Sequence, residues 1–267
     1  MKQRSLLGLG VLAMLGALLG ALPAGHATAS DLPLHGISVA LDPGHNGKNG
    51  ASSSISRLVD AGGFWKACDT DGTSTKSGYP EHAFTWAFVA ELQAQLKANG
   101  AKVYLSRPND QGVGPCIDER GLFADRLHAT VAISIHGDGG PDSGRGFEVI
   151  EPGMPPRRDN SLRPNLHQSA LFGSELRQAL VDVGHLQPST YLGRNGVGQR
   201  SDLGGLNWSR VPKVMIELLN MRNRSDASMS TSASWRKSTA HALVVGIAWY
   251  LQGHPDTTSA KQLSFAA

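Results

Sequence analysis

The chain has 267 residues, with 25 lysines and arginines against 22 aspartates and glutamates, and a formal net charge of +3. This near balance excludes a strongly basic protein, so charge alone gives no reason to expect binding to nucleic acid or to a membrane surface. The length fits one α/β domain.

The start of the chain, residues 1–29, has the order of a secretory signal peptide. Lys2 and Arg4 precede an apolar stretch at residues 6–22, and an A-x-A cleavage pattern follows at residues 27–29. An uncleaved membrane anchor is the alternative, but the apolar stretch is slightly short for a spanning helix, which needs about 20 residues. Cleavage would lower the net charge to +1. We therefore expect an exported protein of the periplasm or cell wall, without stable membrane insertion.

The mature chain is predicted to form one domain over residues 30–255, followed by a disordered tail over residues 256–267. Its two cysteines, Cys68 and Cys116, lie in loops rich in glycine, proline and aspartate. In an oxidising compartment such a pair usually forms a disulfide. The closed loop of about 50 residues would stabilise the fold by about 4 kcal/mol. Free thiols or metal ligands are the alternative, although two cysteines so far apart are a weak metal signal.

Short apolar strands alternate with amphipathic helices along the mature chain. In chain order, we predict a strand at 36–41, a helix at 80–99, a strand at 102–106, a helix at 117–128, strands at 130–135 and 146–150, a helix at 166–183, a strand within 211–218 and a helix at 235–252. The segment 46–80 has little periodicity, and a loop of that length is usually functional. The alternation predicts an α/β fold with a mostly parallel sheet and helices on both faces.

Four polar residues lie where predicted strands end or a helix begins. His45 follows the first strand, and His136 directly follows the third. Glu217 lies near the end of the last strand, and Glu81 opens the first helix. Because functional groups gather beyond the carboxyl ends of parallel strands, these side chains could converge. Two histidines and one carboxylate are a standard set for catalytic zinc, and a second carboxylate could pass a proton to a leaving amine.

Each of these residues also has a simpler explanation, and the H-E-x-x-H pattern of the zincins is absent. His45 could cap a turn, and His136 could be a buried histidine bound to the backbone. Glu81 could merely complement the helix dipole. Glu217 is flanked by apolar residues, where an unpaired charge is costly, so a buried salt bridge to an arginine is its alternative.

Six sequence motifs occur in order within residues 36–252. They are L-D-P-G-H-N-G at 41–47, G-Y-P-E at 78–81, Y-L-S-R-P-N-D at 104–110, S-I-H-G-D at 134–138, G-F-E-V at 146–149 and V-M-I-E at 214–217. Their order and spacing resemble the catalytic domain of the zinc-dependent N-acetylmuramoyl-L-alanine amidases of the AmiA/AmiB/AmiC type. One such motif is a weak signal, but six in order are specific.

The resemblance implies that His45, Glu81 and His136 bind one Zn²⁺ per chain and that Glu217 is the catalytic acid and base. It also implies a six-stranded sheet flanked by helices. The implied reaction is hydrolysis, by zinc-activated water, of the amide bond between N-acetylmuramic acid and the L-alanine of the stem peptide. The expected partners are peptidoglycan fragments rather than nucleic acid, and a monomer is expected. The alternatives are a zinc carboxypeptidase or endopeptidase acting on stem peptides, and a catalytically inactive cell-wall-binding module.

Some positions depart from the family pattern or invite further assignments. Asp138 replaces the usual asparagine after S-I-H and is a candidate substrate-binding residue. His82 follows Glu81 and is a rival metal ligand, but neighbouring helical residues face about 100° apart, so both are not expected to bind one metal. The segment 46–80 is longer than the usual loop and is expected to shape substrate access. Four arginines could contact carboxylates of the stem peptide or only support the structure: Arg107, Arg120, Arg194 and Arg200.

Overall fold

The structure is a computed structural model that describes residues 34–155 and 163–253. The predicted signal peptide at 1–29 and the predicted tail at 256–267 lie outside the described residues. Within the described ranges, no helix combines the length and the apolar composition that crossing a membrane requires.

Besides two 3₁₀-helical turns, at Asn49–Ala51 and Ser53–Ser56, eight strands and six α-helices are described. In chain order they are β1 (Ser38–Pro43), β2 (Leu58–Asp60), β3 (Trp65–Ala67), α1 (Glu81–Ala98), β4 (Lys102–Leu105), α2 (Ile117–Arg126), β5 (Val131–Asp138), β6 (Glu148–Pro152), α3 (Arg163–Asp182), β7 (Val197–Arg200), α4 (Gly204–Asn207), β8 (Lys213–Asn220), α5 (Arg224–Ser230) and α6 (Ala233–Gln252).

Six of the strands form one sheet in the order β4-β1-β5-β8-β6-β7. The first four strands in this order run parallel to one another. β6 runs antiparallel to β8, and β7 runs parallel to β6. The predicted α/β fold with a mostly parallel, six-stranded sheet is therefore confirmed.

Several short elements lie within segments that the sequence predicts as loops. β2 and β3 form an antiparallel hairpin inside the segment 46–80. β7 and the one-turn helix α4 lie within the glycine-rich segment 184–210. Each of these four elements has only three or four residues, which is too short for a hydrophobic period to be visible.

One face of the sheet carries the large hydrophobic core. Three alternate side chains of β5, those of Val131, Ile133 and Ile135, are fully buried on this face. They pack in one cluster with apolar residues of α1, α3 and α6, and Phe84 and Phe88 of α1 belong to the same cluster. Because side chains alternate along a strand, burial of this set points the intervening residues of β5 to the opposite face.

The opposite face of the sheet is covered more thinly. Ala40 and Ala132 contact Ala124 and Phe123 of α2, and their small side chains leave room for this helix to approach. Further along the same strands this face becomes polar, and it lines a pocket with four side chains: Asp42, Ser134, His136 and Glu217. The pocket therefore lies at the carboxyl end of the parallel strands, on the face without the large core.

A buried guanidinium, that of Arg120 on α2, joins the segments around this pocket. It donates to Asp42 Oδ1 at 2.6 Å and to Asp69 Oδ2 at 3.0 Å. Its other hydrogen bonds reach the carbonyl oxygens of Pro43, His45, Gly114 and Pro115. The end of β1, the segment after β3 and the start of α2 are thus held by one side chain.

Lys213 on β8 adds a second cation to this buried cluster. Its Nζ donates to the carbonyl oxygen of Arg120 at 2.6 Å and lies 3.9 Å from Asp42 Oδ2. Burial lowers the pKa of Lys213 to about 8, although Asp42 opposes this shift. Burial also raises the pKa of Asp42, but the two cations and the hydroxyls of Ser106 and Ser134 outweigh it, so that pKa lies well below its usual range.

A disulfide joins Cys68 to Cys116, which is the pairing that the sequence favours. Cys68 directly precedes Asp69, and Cys116 is the N-cap residue of α2. The backbone N–H of Ile117 also donates to the carbonyl oxygen of Cys68 at 2.8 Å. The disulfide therefore fixes Asp69 next to the helix that carries its guanidinium partner.

We predict that Asp42 makes the stability of the folded state depend on pH. Its folded-state pKa lies below the ordinary value of 3.8, so its stabilisation is fully present above about pH 4 and is lost as the pH falls further. The variant Asp42→Asn should lose about 3 kcal/mol of unfolding free energy at pH 7 and should show a shallower decline in acid. Urea unfolding between pH 7 and pH 3 measures both effects.

The control for this prediction is Asp142→Asn. Asp142 forms an exposed ion pair with Lys76, and such pairs contribute little to stability. This variant should keep the wild-type stability and most of the wild-type acid slope. Parallel acid slopes for the wild type and Asp42→Asn would contradict the prediction.

Candidate metal centre and active-site pocket

His45, Glu81 and His136 lie together at the carboxyl edge of the sheet. One potential ligand atom from each of the three lies within 4.8 Å of the others. Glu81 lies between the two imidazoles, with Oε2 at 3.1 Å from His45 Nε2 and Oε1 at 2.9 Å from His136 Nδ1. The imidazole rings are nearly perpendicular, with centroids 5.0 Å apart. The structure therefore brings together the three side chains that the sequence nominates as metal ligands.

Local backbone geometry makes this convergence possible. A Cβ atom at Gly44 would lie 2.3 Å from His136 Cε1, and one at Gly72 would lie 2.6 Å from Glu81 Oε2. Only glycine leaves the space that these side chains occupy. His45 itself has a φ of 59°, a left-handed conformation that is strained for a non-glycine residue and that concentrates at functional sites.

The imidazole of His45 is oriented from its outer side. Its Nδ1 lies 3.0 Å from the carbonyl oxygen of Thr70 and 3.3 Å from the hydroxyl of the same residue. Asp69 Oδ1 also lies 3.3 Å from Nδ1. Because acceptors surround Nδ1, we assign a ring proton to this atom, so that Nε2 is the nitrogen that faces Glu81.

Glu81 is 4% exposed and is held by the backbone N–H groups of Thr73 and Gly137, at 2.9 and 3.2 Å. Burial raises the pKa of Glu81, but the two imidazoles outweigh it and the pKa lies well below its usual range. Burial lowers the pKa of His45, but Glu81 and Asp69 outweigh it and raise the pKa to about 10. Both shifts reflect the contact between the Glu81 carboxylate and the imidazoles, and the same ionised carboxylate would attract a bound cation.

Glu217 lies beside this centre on the neighbouring strand, in register with His136. Its Oε2 atom is buried and has no hydrogen-bond partner. Within the described residues no arginine forms an ion pair with it, so the alternative of a buried salt bridge to an arginine finds no support there. Burial, Glu81 and Asp138 raise the pKa of Glu217 well above its ordinary value, while His45 opposes them. Such a carboxyl group is suited to general acid and base chemistry.

A pocket of about 350 Å³ extends from these four residues across the thinly covered face of the sheet. Its volume lies within the range that is typical of small-ligand sites. The hairpin, α2, β7 and the α4 segment contribute its walls through Lys66, Ala67, Ile117, Arg200, Leu203 and Gly204.

Three of the candidate substrate-binding residues, Asp138, Arg194 and Arg200, differ in their position relative to the pocket. Asp138 and Arg200 line the pocket, whereas Arg194 is exposed and does not line it. Asp138 accepts a hydrogen bond from the hydroxyl of Tyr191. Arg200 donates to both carboxylate oxygens of Asp202, at 2.8 and 2.6 Å.

The two other candidate arginines have structural partners instead. Arg107 and Arg120 are 1% and 4% exposed, and their donors bind groups of the chain itself. This matches the alternative that they support the structure. His82 likewise pairs through Nδ1 with Asp110 at 2.7 Å and does not belong to the metal-ligand cluster.

Three residues beside the site are not identified from the sequence: Asp69, Glu148 and Tyr191. In the sequence, the only feature near Asp69 that indicates a role is the preceding Cys68. Glu148 lies in the G-F-E-V motif, and the structure pairs it in register with Glu217 across β6 and β8. Such pairings join distant parts of the chain, so no local pattern predicts them.

Comparison with known proteins identifies the family of the chain. The family model described as N-acetylmuramoyl-L-alanine amidase matches residues 39–249. The N-acetylmuramoyl-L-alanine amidase Rv3717 of Mycobacterium tuberculosis is 42% identical over 226 residues, which cover 84% of this chain and 90% of that protein.

Two crystal structures of related proteins share the fold. The N-acetylmuramyl-L-alanine amidase Ami1 of Mycobacterium smegmatis matches with a TM-score of 0.76 and 40% identity, over 82% of this chain and 99% of that one. The apo form of Ami1 of Mycobacterium abscessus matches with a TM-score of 0.74 and 42% identity, over 81% and 99%. The chain therefore belongs to the N-acetylmuramoyl-L-alanine amidase family, and the resemblance found in its motifs is confirmed.

Proposed function

We propose that this protein is an exported, zinc-dependent amidase of peptidoglycan. It hydrolyses the amide bond between N-acetylmuramic acid and the L-alanine of the stem peptide, in the periplasm or the cell wall. The observation that carries the proposal is the convergence of His45, Glu81 and His136, with the unpartnered Oε2 of Glu217 beside them. Membership of the amidase family supports the same reaction.

The three converging side chains fit one zinc ion. Two imidazole nitrogens and one carboxylate oxygen are a typical protein set for catalytic zinc, and they leave a fourth position open. His45 would bind through Nε2, because its Nδ1 faces the oxygens of Asp69 and Thr70. A zinc ion bound there supplies a Lewis acid that lowers the pKa of water and polarises an amide carbonyl.

Glu217 is proposed to move the protons of the reaction. Its carboxylate would accept a proton from the attacking water and then deliver it to the departing nitrogen. Burial and the neighbouring carboxylates, which raise its pKa, help it to hold this proton between the two steps. The neighbouring carboxylates also disfavour a permanent negative charge on Glu217, as expected for a side chain that must alternate between its ionised and protonated forms.

Residues further along the pocket are proposed to orient the stem peptide. Arg200 and Lys66 flank Asp202 at one wall, with Lys66 Nζ 3.3 Å from Asp202 Oδ2. These two cations would attract carboxylates of the stem. Asp138, which lines the pocket and pairs with Tyr191, would accept hydrogen bonds from the substrate. The geometry gives no support for a role of Arg194.

Product analysis tests the proposed function. The mature protein, loaded with zinc and incubated with short muropeptides, should release whole stem peptides that carry a free L-alanine amino group. A chelator should abolish turnover, and added Zn²⁺ should restore it. Mass spectrometry that instead finds shortened stems still attached to the sugar would identify a carboxypeptidase or endopeptidase. No product from zinc-loaded protein would favour a wall-binding module.

A second prediction concerns the role of Glu217. The variant Glu217→Gln keeps the shape of the side chain but cannot carry the proton, so turnover should fall by about 10²- to 10⁴-fold. Its zinc content should remain one per chain, as measured by atomic absorption. Glu91→Gln, at a glutamate that pairs with Gln95 within α1, should change neither quantity. Loss of zinc from Glu217→Gln would make Glu217 a ligand, and full activity would remove it from the reaction.

A further inference from the structure

We infer that Asp69 is a positioning residue for His45, and that the Cys68–Cys116 disulfide holds Asp69 in place and thereby sets the affinity for the metal. This inference deepens the proposed function, because it rests on His45 binding a metal ion. It assigns a task to the cysteine-containing segment, which the reaction itself does not use.

Both oxygens of the Asp69 carboxylate have partners, and the side chain is 6% exposed. Oδ1 lies 3.3 Å from His45 Nδ1 and also accepts the backbone N–H of Thr70 at 2.8 Å. Oδ2 accepts from Arg120 at 3.0 Å. With one oxygen fixed by a guanidinium and the other by a backbone N–H, the carboxylate cannot swing away from the imidazole.

The contact acts on the side of the imidazole that faces away from the metal centre. A carboxylate beside the outer N–H of a metal-binding histidine fixes the tautomer and the orientation of the ring, and it makes the inner nitrogen more basic. The carbonyl oxygen of Thr70 also faces Nδ1, but only Asp69 supplies a charge. Since Asp69 and Thr70 are consecutive, any displacement of this segment would remove both acceptors together.

The disulfide is the covalent link that keeps this segment in position. Cys68 lies one residue before Asp69, and Cys116 lies four residues before Arg120. The bond therefore joins the carboxylate and its guanidinium partner across a sequence separation of 48. The surrounding segment is rich in glycine, and its only regular elements are two 3₁₀-helical turns, at Asn49–Ala51 and Ser53–Ser56, and the short β2–β3 hairpin. None of these elements is longer than four residues, so regular structure restrains the segment little.

Zinc affinity, rather than turnover, tests this inference. Competition with a chromophoric chelator would measure the zinc Kd of the full mature protein and of Asp69→Asn. We expect the Kd of Asp69→Asn to rise by about 10- to 100-fold. The loss of a carboxylate partner of Arg120 should also lower the thermal unfolding midpoint, as in Asp42→Asn, so the Kd is measured at a temperature at which the variant is folded. The absorption bands of the cobalt(II)-substituted protein should also shift, because the His45 ligand is reoriented. Asp142→Asn, at an exposed carboxylate that pairs with Lys76 and does not belong to the ligand cluster, should leave the Kd and the bands unchanged.

The role of the disulfide is tested by Cys68→Ala combined with Cys116→Ala. This double variant should bind zinc more weakly by a similar factor. Adding Asp69→Asn to it should weaken binding little further, because contributions made through one contact are not additive. Wild-type affinity in the double variant, or a fully additive loss in the triple variant, would overturn the link between the disulfide and Asp69.

The outcomes separate this inference from the proposed function. A wild-type protein that binds no zinc would refute the proposed function itself. A wild type that binds zinc together with an Asp69→Asn variant of equal affinity would overturn only the positioning role. If the cysteine variant does not fold, Asp69→Asn and the conservative Asp69→Glu still decide the positioning role of Asp69, since partial recovery of affinity in Asp69→Glu requires a carboxylate that acts on His45.

Discussion

The guanidinium of Arg120 is the constraint on which the rest of the site depends. It is buried, and it shares its donors between the carboxylates of Asp42 and Asp69 and four carbonyl oxygens. Buried ion pairs are often no more stabilising than well-packed apolar residues. The contribution of Arg120 therefore lies in where it places its partners. A β-strand, a cysteine-linked segment and a helix meet at one point, and the carbonyl oxygen of His45, a proposed metal ligand, is one of the acceptors there.

Side chains alternate along the parallel strands, so one face of the sheet packs in the hydrophobic core and the other face lines the pocket. On β5, the residues that face the core are large and apolar, and those between them are Ala132, Ser134 and His136. The core side fixes the register of β5 against β1 and β8, since a slip by one residue would exchange the two faces. That register in turn places His136 of β5 beside Glu217 of β8. The positions of the reactive groups therefore follow from burial of the opposite face.

Much of this arrangement is visible in the sequence. Helix α1 has a large apolar residue at every fourth position from Phe84 to Leu96, and the central strands are short apolar runs. Polar residues at strand ends mark His45, His136 and Glu217 as candidates. Such patterns do not reveal very short elements or pairings between distant segments, which the structure shows. The β2–β3 hairpin and β7 are too short to display a period, and contacts such as Glu148 with Glu217 depend on pairing between distant segments. Sequence also cannot distinguish Arg120 from Arg200, because the difference between them is burial and not residue type.

The walls and the floor of the pocket belong to different parts of the fold, so substitutions in the walls and in the floor have different effects on the protein. The floor belongs to the central sheet, where any substitution must also satisfy a packed interior. The hairpin and the α4 segment contribute wall residues from outside the large core cluster. Exchange of these short segments would alter the shape presented to a cell-wall polymer while leaving the catalytic floor undisturbed. Variation among relatives with different polymer preferences is therefore expected to concentrate in these borders.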